Sequence, residues 1–234
     1  MPGERALWLD VARGGALIAM IVYHFAVDLA LFQLVDWPVM SALPWRLFAA
    51  AIASTFVFAA GVSLAYAHAG GMRWRAFLRR IAVLAAAAAA VTAATMVAMP
   101  QGPIFFGILH AIATFSILAL AFLWAPVWLS FAGAAVLFVL PHMAKHAIFA
   151  SPLFYPLGLS PVPPVTMDYE PIVPWFAVTL LGVAAGRLVP AQYAAPRGRV
   201  DGALAWLGRH TLVIYLVHQP VLFAGLIAFQ RVTA

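Results

Sequence analysis

The chain contains no cysteine. That excludes disulfide bridges, thiolate nucleophiles and cysteine-ligated metals. Charge is nearly as scarce: Asp, Glu, Lys and Arg make up 9% of the 234 residues, where a soluble domain carries about 25%. No stretch is polar enough to form a separate soluble domain. The first apolar segment is too long, and too marked by polar residues, for a cleavable signal peptide, and the few residues before it carry mixed charge. No internal repeat of the kind that builds many transporters is evident. What fills the chain instead is apolar, 66% of all residues. These proportions describe an all-α, polytopic membrane helix bundle, with one membrane domain occupying residues 1–234. The formal net charge of +6 is not a nucleic-acid signal, because the basic residues sit in short loops between apolar spans.

Periodicity and breakers predict about seven transmembrane helices. They cover about 6–34, 45–68, 77–98, 104–124, a short fifth segment from Pro126 to near Pro141, then 171–189 and 203–230. A proline-rich loop over about 142–170 follows the fifth, and around Ile148 to Leu159 it is expected to dip into the membrane surface. Orientation follows from the excess of basic residues on one side. With the N-terminus inside, the inner side collects Arg5, Arg13, Arg73, Arg75, Arg79, Arg80, Arg187, Arg197, Arg199 and Arg209. The outer side keeps only Arg46, Lys145 and Arg231. The fifth segment decides the C-terminal half: if it does not span, that half inverts and Arg197 and Arg199 violate the rule.

The first helix carries the strongest functional signal. Asp10, Arg13, His24 and Asp28 fall within about 60° of one another at roughly 100° per residue. A lipid-facing helix would not keep such a stripe, since each ionisable group near the bilayer centre costs roughly 2.5–3.5 kcal/mol on insertion scales. The stripe is expected to face a protein interior or a watery cavity. His24 lies towards the outer end, with Asp28 at i+4, where a carboxylate orients an imidazole as a general base. The alternative is a His–Asp bond that only locks helices together. Asp10 and Arg13, at i and i+3, are set for a local ion pair at the inner end.

His110 opens the fourth helix from the outside, at a depth comparable to His24, so the two are expected to line one cavity. Neither sits in a His-x-x-x-His or Glu-x-x-His pair, and no metal is expected. Asp168, Tyr169, Glu170 and Pro171 precede the sixth helix, with Trp175 just after. Acids and proline there are ordinary helix-start signals, yet acids and a tryptophan at a membrane mouth also suit a polar, sugar-like ligand. Thr211, Tyr215, His218 and Gln219 form one polar stripe in the last helix, serving either packing or substrate contact. Arg73, Arg75, Arg79 and Arg80 are first a topology signal and second a phosphate-binding candidate.

Several spaced motifs together resemble a known family. Leu9-Asp10-x-x-Arg13-Gly14 followed by His24 resembles the first helix of the transmembrane acyltransferase superfamily. Phe106-Gly107-Ile108-Leu109-His110, Asp168-Tyr169-x-Pro171-x-x-Pro174-Trp175 and Leu207-Gly208-Arg209-His210 through Tyr215 to His218-Gln219-Pro220 extend the likeness. Over nearly its whole length the chain is similar to small bacterial proteins with a heparan-α-glucosaminide N-acetyltransferase catalytic domain. The resemblance implies acyl transfer across a bacterial inner membrane. Acetyl-CoA would be the donor inside, and an amine or hydroxyl on a sugar or glycolipid the acceptor outside. Joined to the residue reading above, it gives His24, Asp28 and His110 as the expected catalytic residues. Asp168, Tyr169, Trp175, Tyr215 and His218 would hold the acceptor, and Asp10, Arg13, Arg73, Arg75, Arg79 and Arg80 the donor. His24 falls where the related family-3 O-acyltransferases carry a helix-one histidine, and departs from the lysosomal enzyme, which has asparagine at the matching position. The rival reading is a non-catalytic membrane protein, a small-solute transporter or scaffold, using the same polar stripe.

Overall fold

In the computed structural model, which describes residues 6–191 and 198–233, helices dominate and no strand longer than an isolated bridge occurs among the described residues. The helices are α1 (Leu7–Leu31), α2 (Leu43–His68), α3 (Trp74–Ala98), α4 (Ile108–Leu118), α5 (Val127–Met143), α6 (Ile172–Leu188), α7 (Arg199–Arg209) and α8 (Thr211–Thr233). Four of them, α1, α2, α3 and α8, are long and apolar enough to cross a membrane. The others of apolar character are shorter: α4 with a 3₁₀ extension to Phe122, α5 and α6. The fold is thus an all-α membrane architecture with four helices of full membrane length among the described residues. Arg5 and Arg197, counted above among the inner cations, lie outside the described residues.

Exposure patterns explain why these helices need a bilayer. On α8 only His218 and Leu226 are buried, while Val213, Val217, Val221 and Phe229 lie on the surface. On α3 the buried residues Phe77, Leu84, Ala87 and Ala88 make one narrow stripe. Apolar faces this long are stable only against lipid, where an α-helix also satisfies its own backbone.

The chain forms two compact units, residues 1–55 with 192–234, and residues 56–191, so the division falls inside α2. In the first unit α1 packs on α7 by direct backbone approach. A Cβ at Gly14 would run into the Leu204 carbonyl, and one at Gly208 into the Asp10 carbonyl. Glycine is the residue that allows this closeness. α1 ends where Gln33 adopts φ 57 and the Leu34 N–H bonds to the Leu29 carbonyl at 2.9 Å, a left-handed helix stop. The returning loop buries Val39 against Ala26 and Val27, with Tyr23 and Trp45 beside them.

The sequence reading of one last helix over about 203–230 needs correction. The structure separates α7 from α8 at His210, whose N–H bonds back to Trp206 and Leu207 and whose Nδ1 bonds the Trp206 carbonyl at 2.8 Å. Periodicity does not register a one-residue interruption, and here the interruption lets Gly208 dock on α1.

In the second unit, Gly182 and Gly186 on α6 approach Phe58, Val62 and Ala65 on α2. Thr179 donates to the Val57 carbonyl at 3.3 Å. Gly61 on α2 in turn approaches Thr179 and Val183, and such small residues, four apart as Gly61/Ala65 and Gly182/Gly186, let the backbones close in, as in membrane helix pairs generally. Arg187 Nη1 donates to the carbonyls of Phe122 and Ala125 and closes the turn between α4 and α5. The 147–157 stretch, expected to dip towards the membrane, forms two short 3₁₀ turns, Ala147–Ala150 and Pro152–Leu157. It ends at Gly158, with φ +82, tucked against the start of α6.

Candidate functional sites

In the first unit the polar stripe of α1 meets α8. The His24 and His218 rings lie with centroids 5.0 Å apart and tilted by 59°. The Tyr215 ring is tilted against that of His218, with centroids 5.6 Å apart. Asp28 is wholly buried, and its Oδ1 accepts a hydrogen bond from Gln219 Nε2 at 2.7 Å. His218 Nδ1 lies 2.6 Å from the Tyr215 carbonyl. A carbonyl only accepts, so Nδ1 holds the proton and Nε2 of neutral His218 presents a lone pair. That Nε2, Asp28 Oδ2 and Gln219 Oε1 are buried with no hydrogen-bond partner. Unsatisfied buried polar atoms are rare enough to require a reason. Three on one pair of helices, all acceptors when Asp28 is ionised, suit a ligand that brings donors.

At the other end of α1, Asp10 is buried and Arg13 half-buried, and they pair at 3.5 Å. Asp10 sits in the first turn of α1, where a carboxylate also meets the positive end of the helix dipole. Asp10 is thus tied locally to Arg13 and, through its backbone, to α7.

The second unit gathers a different cluster at the start of α4. The residue before the helix is Gly107, which has no capping side chain. Asp168 supplies the cap from 60 residues away: its Oδ2 accepts from the Ile108 N–H at 2.9 Å. A Cβ at Gly107 would collide with that carboxylate. The segment around Asp168 is pinned alongside 102–106 by Met167 N–H to the Gly102 carbonyl and Glu170 N–H to the Phe106 carbonyl. Tyr169 donates its hydroxyl to the Tyr155 carbonyl at 2.6 Å. Burial, with Tyr155 adding to it, pushes that phenol up to about 12. Tyr169 thus ties this segment to the 152–157 turn. His110, one helical turn into α4, has its Nε2 3.2 Å from Thr92 Oγ1. Trp175 is half-buried at the start of α6.

From sequence, Glu170 is one of the acids that mark a helix start or suit a polar ligand, with no role of its own. The structure buries its Oε2 without a partner. Burial first, and then the charge of Asp168 and a hydrogen bond to it, push the Glu170 carboxyl well above the ordinary carboxylate range. Two carboxyls this close retain one proton between them. The folded chain thus holds a proton that the unfolded chain releases above the ordinary value of 4.5. Stability contributed by Glu170 must fall as pH rises through that window, because the folded state binds more protons. In detergent, the melting temperature of the parent should fall from about pH 5 to about pH 7 more steeply than that of Glu170→Gln. Parallel curves for the two proteins would remove this proton from the cluster.

A third feature lies at the start of α3. Arg73, Trp74, Arg75, Ala76 and Arg79 line an open cleft of about 730 Å³. Gly71, with φ +114, makes the reversal that leads into it. Arg73, Arg75 and Arg79 are exposed, Arg80 is half-buried, and none of them forms an ion pair among the described residues. The N-terminus of α3 adds its own positive dipole end, so the cleft favours anions.

Sequence reasoning singled out His24, Asp28, His218 and Gln219 because each is polar in an apolar helix. It missed Thr92, which sits in an alanine-rich stretch and carries no sequence signal, and it passed over Glu170. Residues 5–220 match the family model described as heparan-alpha-glucosaminide N-acetyltransferase, catalytic. No curated protein and no solved structure matches the chain. A match over almost the whole length, on a multi-pass helical fold, makes this chain a member of the heparan-α-glucosaminide N-acetyltransferase catalytic family.

Proposed function

We propose that the protein is a membrane acyltransferase that moves an acetyl or related acyl group from acetyl-CoA on the cytoplasmic side to a hydroxyl or amine acceptor, on a sugar or glycolipid, at the outer side. The chain works as a single domain of about seven spans in a bacterial inner membrane, N-terminus inside. The 17 residues of α5 stand at the short end of what a span needs. Family membership supports the reaction class, and the family in general uses acetyl-CoA as donor.

The observation that carries the reading is the buried α1–α8 cluster. Its unpartnered acceptors on His218, Asp28 and Gln219 match an acceptor substrate, because a hydroxyl or amine brings the hydrogen-bond donors they need. In this reading His24, with Asp28 beside it on the same helix face, takes the acceptor's proton as its oxygen or nitrogen bonds to the acyl carbon. The carbon–sulfur bond then breaks, and the thiolate recovers the proton. His218 and Tyr215 hold the acceptor. Asp168, Tyr169 and Trp175 are assigned to the acceptor as well, and His110 assists the transfer, by polarising the thioester carbonyl or by accepting a proton.

The donor's phosphates are assigned to the cleft of Arg73, Arg75 and Arg79, with Arg80 nearby and Asp10 and Arg13 as further donor contacts. Unpaired guanidinium groups around an open cleft fit phosphates, which they bind in a bidentate fork. Arg75→Ala, Arg79→Ala together should weaken CoA binding roughly tenfold, on the order of one charge-assisted hydrogen bond. Titration of the purified, folded double variant with CoA measures this. Unchanged affinity would leave these arginines as a topology signal only. The reading as a whole is tested by incubating purified protein with labelled acetyl-CoA and a panel of sugars and glycolipids. Label transferred to none of them would reject it.

A further inference from the structure

The backbone before α4 is held by two threonines on α3, one turn apart. Thr95 Oγ1 accepts from the Ile104 N–H at 3.0 Å and donates to the Val91 carbonyl at 2.8 Å. Thr92 Oγ1 lies 2.7 Å from the Ile104 carbonyl. That carbonyl cannot donate, so the single hydroxyl proton of Thr92 points at it. Towards His110 Nε2, 3.2 Å away, the threonine oxygen has only a lone pair to offer. The imidazole must therefore supply the proton of that bond. The neighbouring Asp168 carboxylate accepts from the Ile108 N–H, and among the described residues the hydrogen-bond partner of the His110 ring is Thr92.

We propose that Thr92 is a positioning residue that fixes neutral His110 as the Nε2–H tautomer, so that His110 meets the reacting groups with a lone pair at Nδ1. This deepens, and rests on, the acyltransferase reading. It also decides between the two roles left to His110. Neutral imidazole in this tautomer has no N–H free for a thioester carbonyl, because its one proton is held by Thr92. It accepts a hydrogen bond or a proton at Nδ1. Which ring nitrogen bears the proton is set by the hydrogen bonds the ring makes, and the Thr92 bond lies half-buried between α3 and α4.

The test is nitrogen-15 spectroscopy of histidine-labelled full chain in lipid nanodiscs, with the His110 signals assigned by their loss in His110→Gln. The parent should show a protonated Nε2 and a pyridine-type Nδ1 at a pH where the ring is neutral. Thr92→Val, close in shape but without the hydroxyl, should shift His110 towards a mixture of tautomers, and Thr92→Ser should restore the parent pattern. A parent with Nδ1 protonated, or a folded Thr92→Val with an unchanged pattern, overturns the proposal. The parent spectrum alone decides it if Thr92→Val does not fold. With an acceptor that supports turnover, Thr92→Val should lower kcat about two- to tenfold, the range of one hydrogen bond, with KM little changed and Thr92→Ser recovering. If no acceptor supports turnover, the acyltransferase reading fails while the spectra still establish or reject the tautomer.

Discussion

His24→Ala should remove most acyl transfer while the protein still folds and binds CoA. General-base assistance is typically worth about 10²–10⁴-fold in rate, and the loss is expected in that range. His24 lies half-buried on a membrane helix, 5.0 Å from the ring of His218, so truncation takes away a proton acceptor at a less enclosed position than the wholly buried Asp28. Asp28→Asn should give a smaller loss. Its hydrogen bond from Gln219 can be kept by the amide oxygen, but the negative charge that favours a protonated imidazole is gone. The measurement is initial rate against CoA affinity for each variant. Near-normal turnover of His24→Ala, in an assay where the parent is active, would move the base to His110 or His218.

The second large effect is structural and separates two adjacent glycines. Gly14→Ala should destabilise the first unit by about 1–3 kcal/mol, the usual cost of overpacking a tight contact. Its new methyl would meet the Leu204 backbone, which cannot rotate away as a side chain can. Gly208→Ala should behave alike against the Asp10 backbone. Gly15→Ala meets nothing within 4 Å, and should be neutral or stabilising because alanine favours a helix interior by up to about 1 kcal/mol. Thermal denaturation in one detergent compares all three. Equal melting temperatures for Gly14→Ala and Gly15→Ala would remove the close α1–α7 contact from the account of stability.

Glycine identity shows how far the sequence could be read. Gly14 and Gly15 are indistinguishable as letters, and both were open to a close neighbour. Only the position of Leu204 tells them apart. The same holds for carboxylates. Asp28 stood out because a charge in an apolar helix is costly and must face something polar. That its Oδ1 is held by Gln219 depends on α8 lying against α1, 191 residues away in sequence. Asp168 was visible as an acid before a helix, but the helix it caps is α4.

The sequence by itself determined the class of molecule. Low charge and long apolar runs leave helices in a bilayer as the only stable arrangement, since lipid offers no partner for an open backbone. Periodicity and motif spacing were enough to identify the polar stripe on α1 and the family, because both are local in the chain. Only the tertiary structure decided the interruption at His210, the helix pairs closed by Gly14, Gly208, Gly182 and Gly186, the burial of Glu170 beside Asp168, and the bond between Thr92 and His110. Apart from the His210 break, whose bonds are local, each of these depends on which backbone or side chain approaches from elsewhere in the chain. Hydrogen-bond direction and burial are properties of such pairs, and a single residue's chemistry does not contain them.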